Sequence, residues 1–100
     1  MTEPTITQTS EGYPIEVGRW EKRTVKVGRE WRVEVDGVHV GDVRYALITR
    51  ERRTPGKRYV NARWQSPGWQ YRGAGGHYGH WFEGYTKKEC VERLVRDARA

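Results

Sequence analysis

The sequence predicts an α+β fold, an antiparallel sheet of four to six strands with one C-terminal helix packed on one face. Three observations carry this. The inventory is strand-biased, with eleven valines against two leucines and eleven tryptophans and tyrosines; β-branched and aromatic side chains suit a pleated surface. From Trp20 onward the apolar residues recur with period two, as in half-buried strands. The last sixteen residues switch to helical periodicity behind a capping signature.

One hundred residues make one small domain. Such a chain buries only about two-thirds of its unfolded surface, so its core depends on large rings. Residues 1–18, rich in Thr, Ser, Glu and Pro and without periodicity, read as a flexible acidic N-terminal tail. Residues 19–100 read as the single sheet-plus-helix domain.

In "EWRVEVDG", Trp31, Val33 and Val35 share one face, and Glu30, Arg32 and Glu34 the other. Asp36-Gly37 then supplies a hairpin turn that accepts positive φ. "VHVGDVRYALITRER" is the returning strand, its early glycine marking a bulge. "TPGK" turns the chain into "RYVNARWQ", which points Val60, Ala62 and Trp64 inward. "SPG" is read as another turn, leading into "WQYRG". The glycine-rich "GAGG" connects to a last strand, "HYGHWFEGY".

The helix is the best-signalled element. Thr86 and Glu89 have capping-box spacing, and Tyr85 and Cys90 the positions of a hydrophobic staple. Cys90, Val91, Leu94, Val95 and Ala98 form one apolar stripe. Glu89 with Arg93, and Glu92 with Arg96, are i,i+4 pairs in the favourable orientation. With the helix across one face, the other face of the sheet is expected to be free.

The net charge is +6, but residues 1–18 carry Glu3, Glu11 and Glu16 and no base, leaving +9 on the rest. Between Arg44 and Arg72 there are eight bases against Glu51 alone. That balance favours polyanionic partners. A lone cysteine cannot form an internal disulfide and points to a reducing compartment. With no leader-like segment and no run of membrane-spanning length, a cytoplasmic protein without membrane association is expected.

Residues 64–85 hold three of the five tryptophans and six of the glycines. Packing accounts for most of these rings. Trp64 shares its phase with Val60 and Ala62 and is assigned to the core. Trp81 and Phe82 are adjacent and must point opposite ways, one under the helix and one on the open face. Trp69 and Tyr71 share a face, with Gln70 and Arg72 behind. One or two rings left beside arginines would suit stacking on bases or a protein anchor pocket.

The basic strip supplies the candidate nucleic-acid contacts: Arg50, Arg52, Arg53, Lys57 and Arg58 around a hairpin tip, then Arg63, Trp69 and Arg72. A two-stranded ribbon fits the major groove, where arginine can pair with guanine. The bland alternative is a charged hairpin protected from edge-to-edge pairing. His77 and His80 form an H-x-x-H whose odd spacing separates the rings in an extended chain, so no metal is assigned. "GAGGHYG" leads into a strand rather than a helix and is no dinucleotide fingerprint. Glu83 is the sole carboxylate of the aromatic segment, so no acid/base pair, enzyme activity or cofactor is expected.

The stretch from "YVNARWQSPGWQYRG" through "HWFEGYTKKECVERLVRDA", about 40 residues, resembles the plant-type AP2 domain and the arm-binding domains of tyrosine integrases. The matching positions are Trp81, Tyr85, Thr86, Glu89 and Cys90, a strand ending in an aromatic followed by a Thr-capped helix. The resemblance implies a three-stranded sheet entering the major groove, with Arg63, Trp69 and Arg72 reading DNA. The ending is also similar to HicB-type antitoxin domains and double-stranded-RNA-binding domains. In style, short and rich in Arg and Trp, the chain is similar to small accessory proteins of actinobacteria and their phages. The function expected from the sequence is a non-enzymatic nucleic-acid-binding module, for duplex DNA. The alternative is a protein-interaction module, such as a host-factor inhibitor or antitoxin-like partner, with a sugar- or small-ligand-binding sheet a minor third.

Overall fold

A computed structural model describes residues 3–53, 55–56, 60–75 and 80–99. Among these, the chain runs β1 (Thr5–Val17), β2 (Arg23–Val35), β3 (Val38–Arg53), β4 (Val60–Gly73), β5 (Phe82–Gly84) and α1 (Lys87–Arg99). The strands form one antiparallel sheet in sequence order, β1-β2-β3-β4-β5. Helix α1 packs on one face of it, so the α+β architecture is as the sequence predicts. No helix among the described residues is long and apolar enough to cross a membrane.

The hairpin between β2 and β3 follows from its turn chemistry. Val35 pairs with Val38, and Asp36 and Gly37 both take positive φ, 52° and 78°, as a two-residue loop with matching strand twist requires. The register then shifts between Val33 and Glu34, leaving Val40 as the extra residue of a bulge beside Gly41. A side chain at Gly41 would place its Cβ 2.5 Å from Leu94 Cδ2, so the glycine is what lets α1 lie down on β3.

The core lies between that helix and the middle of the sheet. Trp31, Val33, Val43 and Tyr71 meet Cys90, Val91 and Leu94 there, flanked by Val40, Tyr45, Trp69 and Val95. Thr86 accepts a bond from the Glu89 N–H at 3.1 Å, while the Glu89 carboxylate accepts one from Tyr85 N–H at 3.2 Å. The staple does not form: Tyr85 is 89% exposed, and Cys90 packs against Gly84 instead. Glu89 pairs with Arg93 at 2.7 Å, and Glu92 approaches Lys88 at 3.9 Å.

Burial pushes the Cys90 thiol up to about 11, with Glu89 adding to the rise. A thiol that is both buried and protonated is unreactive. Alkylation of the native protein at pH 8 is therefore expected to be many times slower than in denaturant, measured by mass shift against time. Comparable rates in the two conditions would contradict the packing of α1.

Three expectations are corrected. Residues 5–17 are not a tail: β1 pairs with β2 from Thr5↔Glu34 to Val17↔Arg23, with a bulge between Gln8 and Ser10. Its polar, uneven sequence suits an edge strand with little to bury, which periodicity cannot flag. Next, "SPG" makes no turn, because β4 runs unbroken through Ser66, Pro67 and Gly68 opposite Ile48, Leu47 and Ala46. Proline is tolerated because, among the described residues, β5 covers β4 only from Trp69 to Tyr71, so the strand is an edge at Pro67. Gly68 is small for a different reason than a turn: a Cβ there would lie 2.6 Å from Ile48 Cδ1, which folds across it.

The third correction follows from the second. In a continuous strand Trp64 and Trp69 fall on opposite faces. Trp69 is on the helix face, with ring centroids 5.4 Å from Trp31 and 4.8 Å from Tyr45. Trp64 is on the other face and 47% exposed.

Candidate nucleic-acid interface

Two ribbons leave the same end of the sheet. The β2–β3 ladder stops at Arg29↔Tyr45. Beyond it, β1 and β2 pair only with each other, out to Val17↔Arg23. Residues 46–53 of β3 likewise pair only with β4. Because β2 and β3 are antiparallel, both extensions point the same way, giving a fork. At about 3.3 Å per residue the β1–β2 prong reaches about 20 Å past the branch and the β3–β4 prong about 26 Å. The long dimension of 46 Å and radius of gyration of 16.0 Å reflect this; a compact chain of this length has about 13 Å.

The branch itself is pinned. The Arg29 guanidinium sits 5.5, 5.1 and 5.8 Å from the ring centroids of Trp31, Tyr45 and Trp69. Its Nε donates to the Lys26 carbonyl at 3.1 Å. Lys87, at the start of α1, lies 4.4 Å from the Trp31 ring. Contacts of this kind contribute about 0.5–1 kcal/mol each when partly exposed. They fix the root of both prongs against the core.

On the β3–β4 prong the candidate residues have unequal surroundings. Arg50 is a strut: it donates from both terminal nitrogens to Glu83 on β5, at 3.0 and 2.5 Å, and from Nε to Ser66 at 3.0 Å. The Glu83 hydrogen bond raises the Arg50 pKa, and the same bond holds the Glu83 carboxyl below its ordinary range. Arg63 pairs with Glu51, directly opposite, at 3.0 Å. Arg52 is exposed. Arg53 ends β3, its side chain outside the described set, and Lys57 and Arg58 lie outside the described residues.

Arg72 lies elsewhere. It is nine residues from Arg63 on β4, about 30 Å along the strand, and on the opposite face. It reaches Asp42 at 3.6 Å and stacks 4.4 Å from the centroid of Trp81. Arg44 covers the same indole at 4.1 Å and donates to Gln70 at 2.7 Å. Burial lowers the Arg44 pKa, opposed by Glu30 and reinforced by Arg72. The face away from the helix is therefore not free at this end: Trp81 lies on it, held between two arginines. Phe82 points to the helix side, against Tyr71 at 5.7 Å, yet stays 59% exposed.

The structure thus separates Arg63, Trp69 and Arg72, the three positions that the AP2-type resemblance would put on one reading surface. Trp69 packs against the core. No cluster of three or more His, Cys, Asp or Glu able to hold a metal occurs among the described residues. His77 lies outside them.

One exposed ring is absent from the candidate contacts, because the sequence places it at the start of the period-two pattern. Trp20 sits in the loop of residues 18–22 at the tip of the β1–β2 prong and is 89% exposed. Its signal is local: a glycine before it and four bases among residues 19–26, in "GRWEKRTVK".

A scan against protein-family models, a search of curated proteins and a search of solved structures each find no match.

Proposed function

We propose that the protein is a non-enzymatic nucleic-acid-binding module that grips the phosphate backbone of duplex DNA with the outer half of its β3–β4 ribbon. The observation that carries this is the ribbon's freedom. Residues 46–53 and 60–68 run on past the end of the β2–β3 ladder, paired with each other, and the basic sequence Arg52, Arg53, Lys57 and Arg58 falls at their outer end. A ribbon end rich in bases can approach a phosphate chain without burying its charges, and a two-stranded ribbon fits the major groove. Arg50 and Arg63 are engaged by Glu83 and Glu51, and Arg72 by Asp42. They position strands in this reading and are given no phosphate.

Binding is tested by anisotropy titration with duplex and single-stranded DNA and RNA at several salt concentrations. Four phosphate contacts predict that log K falls against log salt with a slope of about −3.6 for duplex DNA. No binding to any of them at low salt excludes this reading.

A protein partner is the second reading, favoured by Phe82 on the short edge strand β5 and Tyr85 just after it, both exposed. An interface centred on such rings has a weak salt dependence. The slope separates the two.

A further inference from the structure

The β1–β2 prong has no part in the phosphate grip just proposed, yet it displays the features of a second contact. Trp20 shares the highest exposure of the large apolar side chains among the described residues. Trp20 is not part of the packing among the described residues: the helix-covered cluster lies on the far side of the branch point, and on the prong it is Val27 that is buried.

The loop that carries it is shaped. Gly18 has φ 109°, and a Cβ there would overlap the Glu21 carbonyl oxygen. The turn therefore closes tightly and holds Trp20 outward. Gly12 and Gly28, both at positive φ, face each other nearer the root; a Cβ on Gly28 would meet the Tyr13 ring at 3.1 Å. These glycines let the prong take its own course where the β2–β3 ladder ends.

Around the indole the charge is basic. Arg19, Lys22, Arg23 and Lys26 stand against Glu16 and Glu21, and Arg19 lies 5.9 Å from the Trp20 ring centroid. An exposed aromatic beside cations is the pairing that binds single-stranded nucleic acid, with rings taking bases and cations taking phosphates. Insertion into an intact duplex would first have to unstack a base step. An unpaired nucleotide presents its face without that cost.

We propose that Trp20 stacks on an unpaired base while the β3–β4 ribbon holds the adjoining duplex, so that the fork recognises duplex DNA carrying an unpaired nucleotide. The inference rests on the phosphate-binding reading of the β3–β4 ribbon and adds a ligand class to it. Both prongs point the same way, so one nucleic acid can meet both tips.

The test compares a fully paired duplex with the same duplex carrying a single-nucleotide bulge, against the wild-type chain, Trp20→Ala and Trp20→Phe. Wild type should prefer the bulged duplex by roughly tenfold, within the range of one base-stacking contact. Trp20→Ala should erase that preference while leaving paired-duplex affinity, salt slope and melting temperature unchanged. Trp20→Phe should keep most of it. A wild type without preference overturns the proposal, as does a Trp20→Ala variant that retains it or that weakens both duplexes equally. Paired-duplex binding does not depend on stacking by Trp20. If it is present and the preference absent, only the stacking inference fails; if neither duplex binds, both readings fail.

Discussion

Replacing Arg52, Arg53 and Arg58 together with alanine is expected to weaken duplex binding at least a hundredfold at low salt and to flatten the salt dependence. Each phosphate contact contributes about 0.9 to the slope of log K against log salt. Losing three should take the slope from about −3.6 to about −0.9, measured by anisotropy across a salt series. Folding should be unaffected in circular dichroism, because Arg52 is exposed at the end of the ribbon. The informative contrast is Arg63→Ala. Arg63 is already paired with Glu51 at 3.0 Å, so its loss should leave affinity within a few-fold of wild type. Equal affinities for the triple variant and wild type would remove the ribbon tip from the interface.

The second large effect concerns stability. Trp69→Ala should cost about 3 kcal/mol, since truncating a large packed ring removes its transfer energy and opens a cavity. The ring is half-buried and touches Trp31, Tyr45 and the Arg29 guanidinium. For a domain of this size each kcal/mol moves the melting temperature by about 4–8 °C, so a drop beyond 10 °C is expected. Trp64→Ala, five residues earlier, should change stability by less than about 1 kcal/mol, as is usual for a substitution away from the core. Thermal unfolding of the two variants side by side decides which indole the helix face holds. The reverse ranking would mean that the register of β4 against β3 is wrong.

That pair of tryptophans shows where sequence reading stopped. Period-two alternation was legible within each segment, since it needs only neighbours. What failed was carrying the phase across Ser66-Pro67-Gly68. Treated as a turn, the tripeptide made Trp64 a core residue and left Trp69 free to read DNA. As part of one strand, it puts them on opposite faces. The difference lies in β5, only three residues long, which leaves β4 an edge at Pro67 and so makes the proline tolerable. Residues 5–17 escaped for a related reason. An edge strand with polar side chains has no hydrophobic pattern to betray it, and only its ladder with β2 defines it.

The candidate site was legible in its charges and not in its geometry. The run from Arg50 to Arg58 is visible in the sequence, and so is the hairpin around it. That Arg50 is bound to Glu83, 33 residues away, and Arg72 to Trp81 and Asp42, depends on strands meeting side by side. The fork depends on where one ladder ends, at Arg29 and Tyr45.

By itself the sequence determined the α+β class, the Asp36-Gly37 hairpin, the bulge beside Gly41, and the capped helix with its apolar stripe. These rest on turn chemistry and periodicity, which act over a few neighbouring residues. Tertiary structure alone decided which rings are buried, which arginines are already neutralised, and that two ribbons leave one end of the sheet. Those outcomes follow from register between strands distant in sequence, where shifting a pairing by one residue turns every side chain to the opposite face.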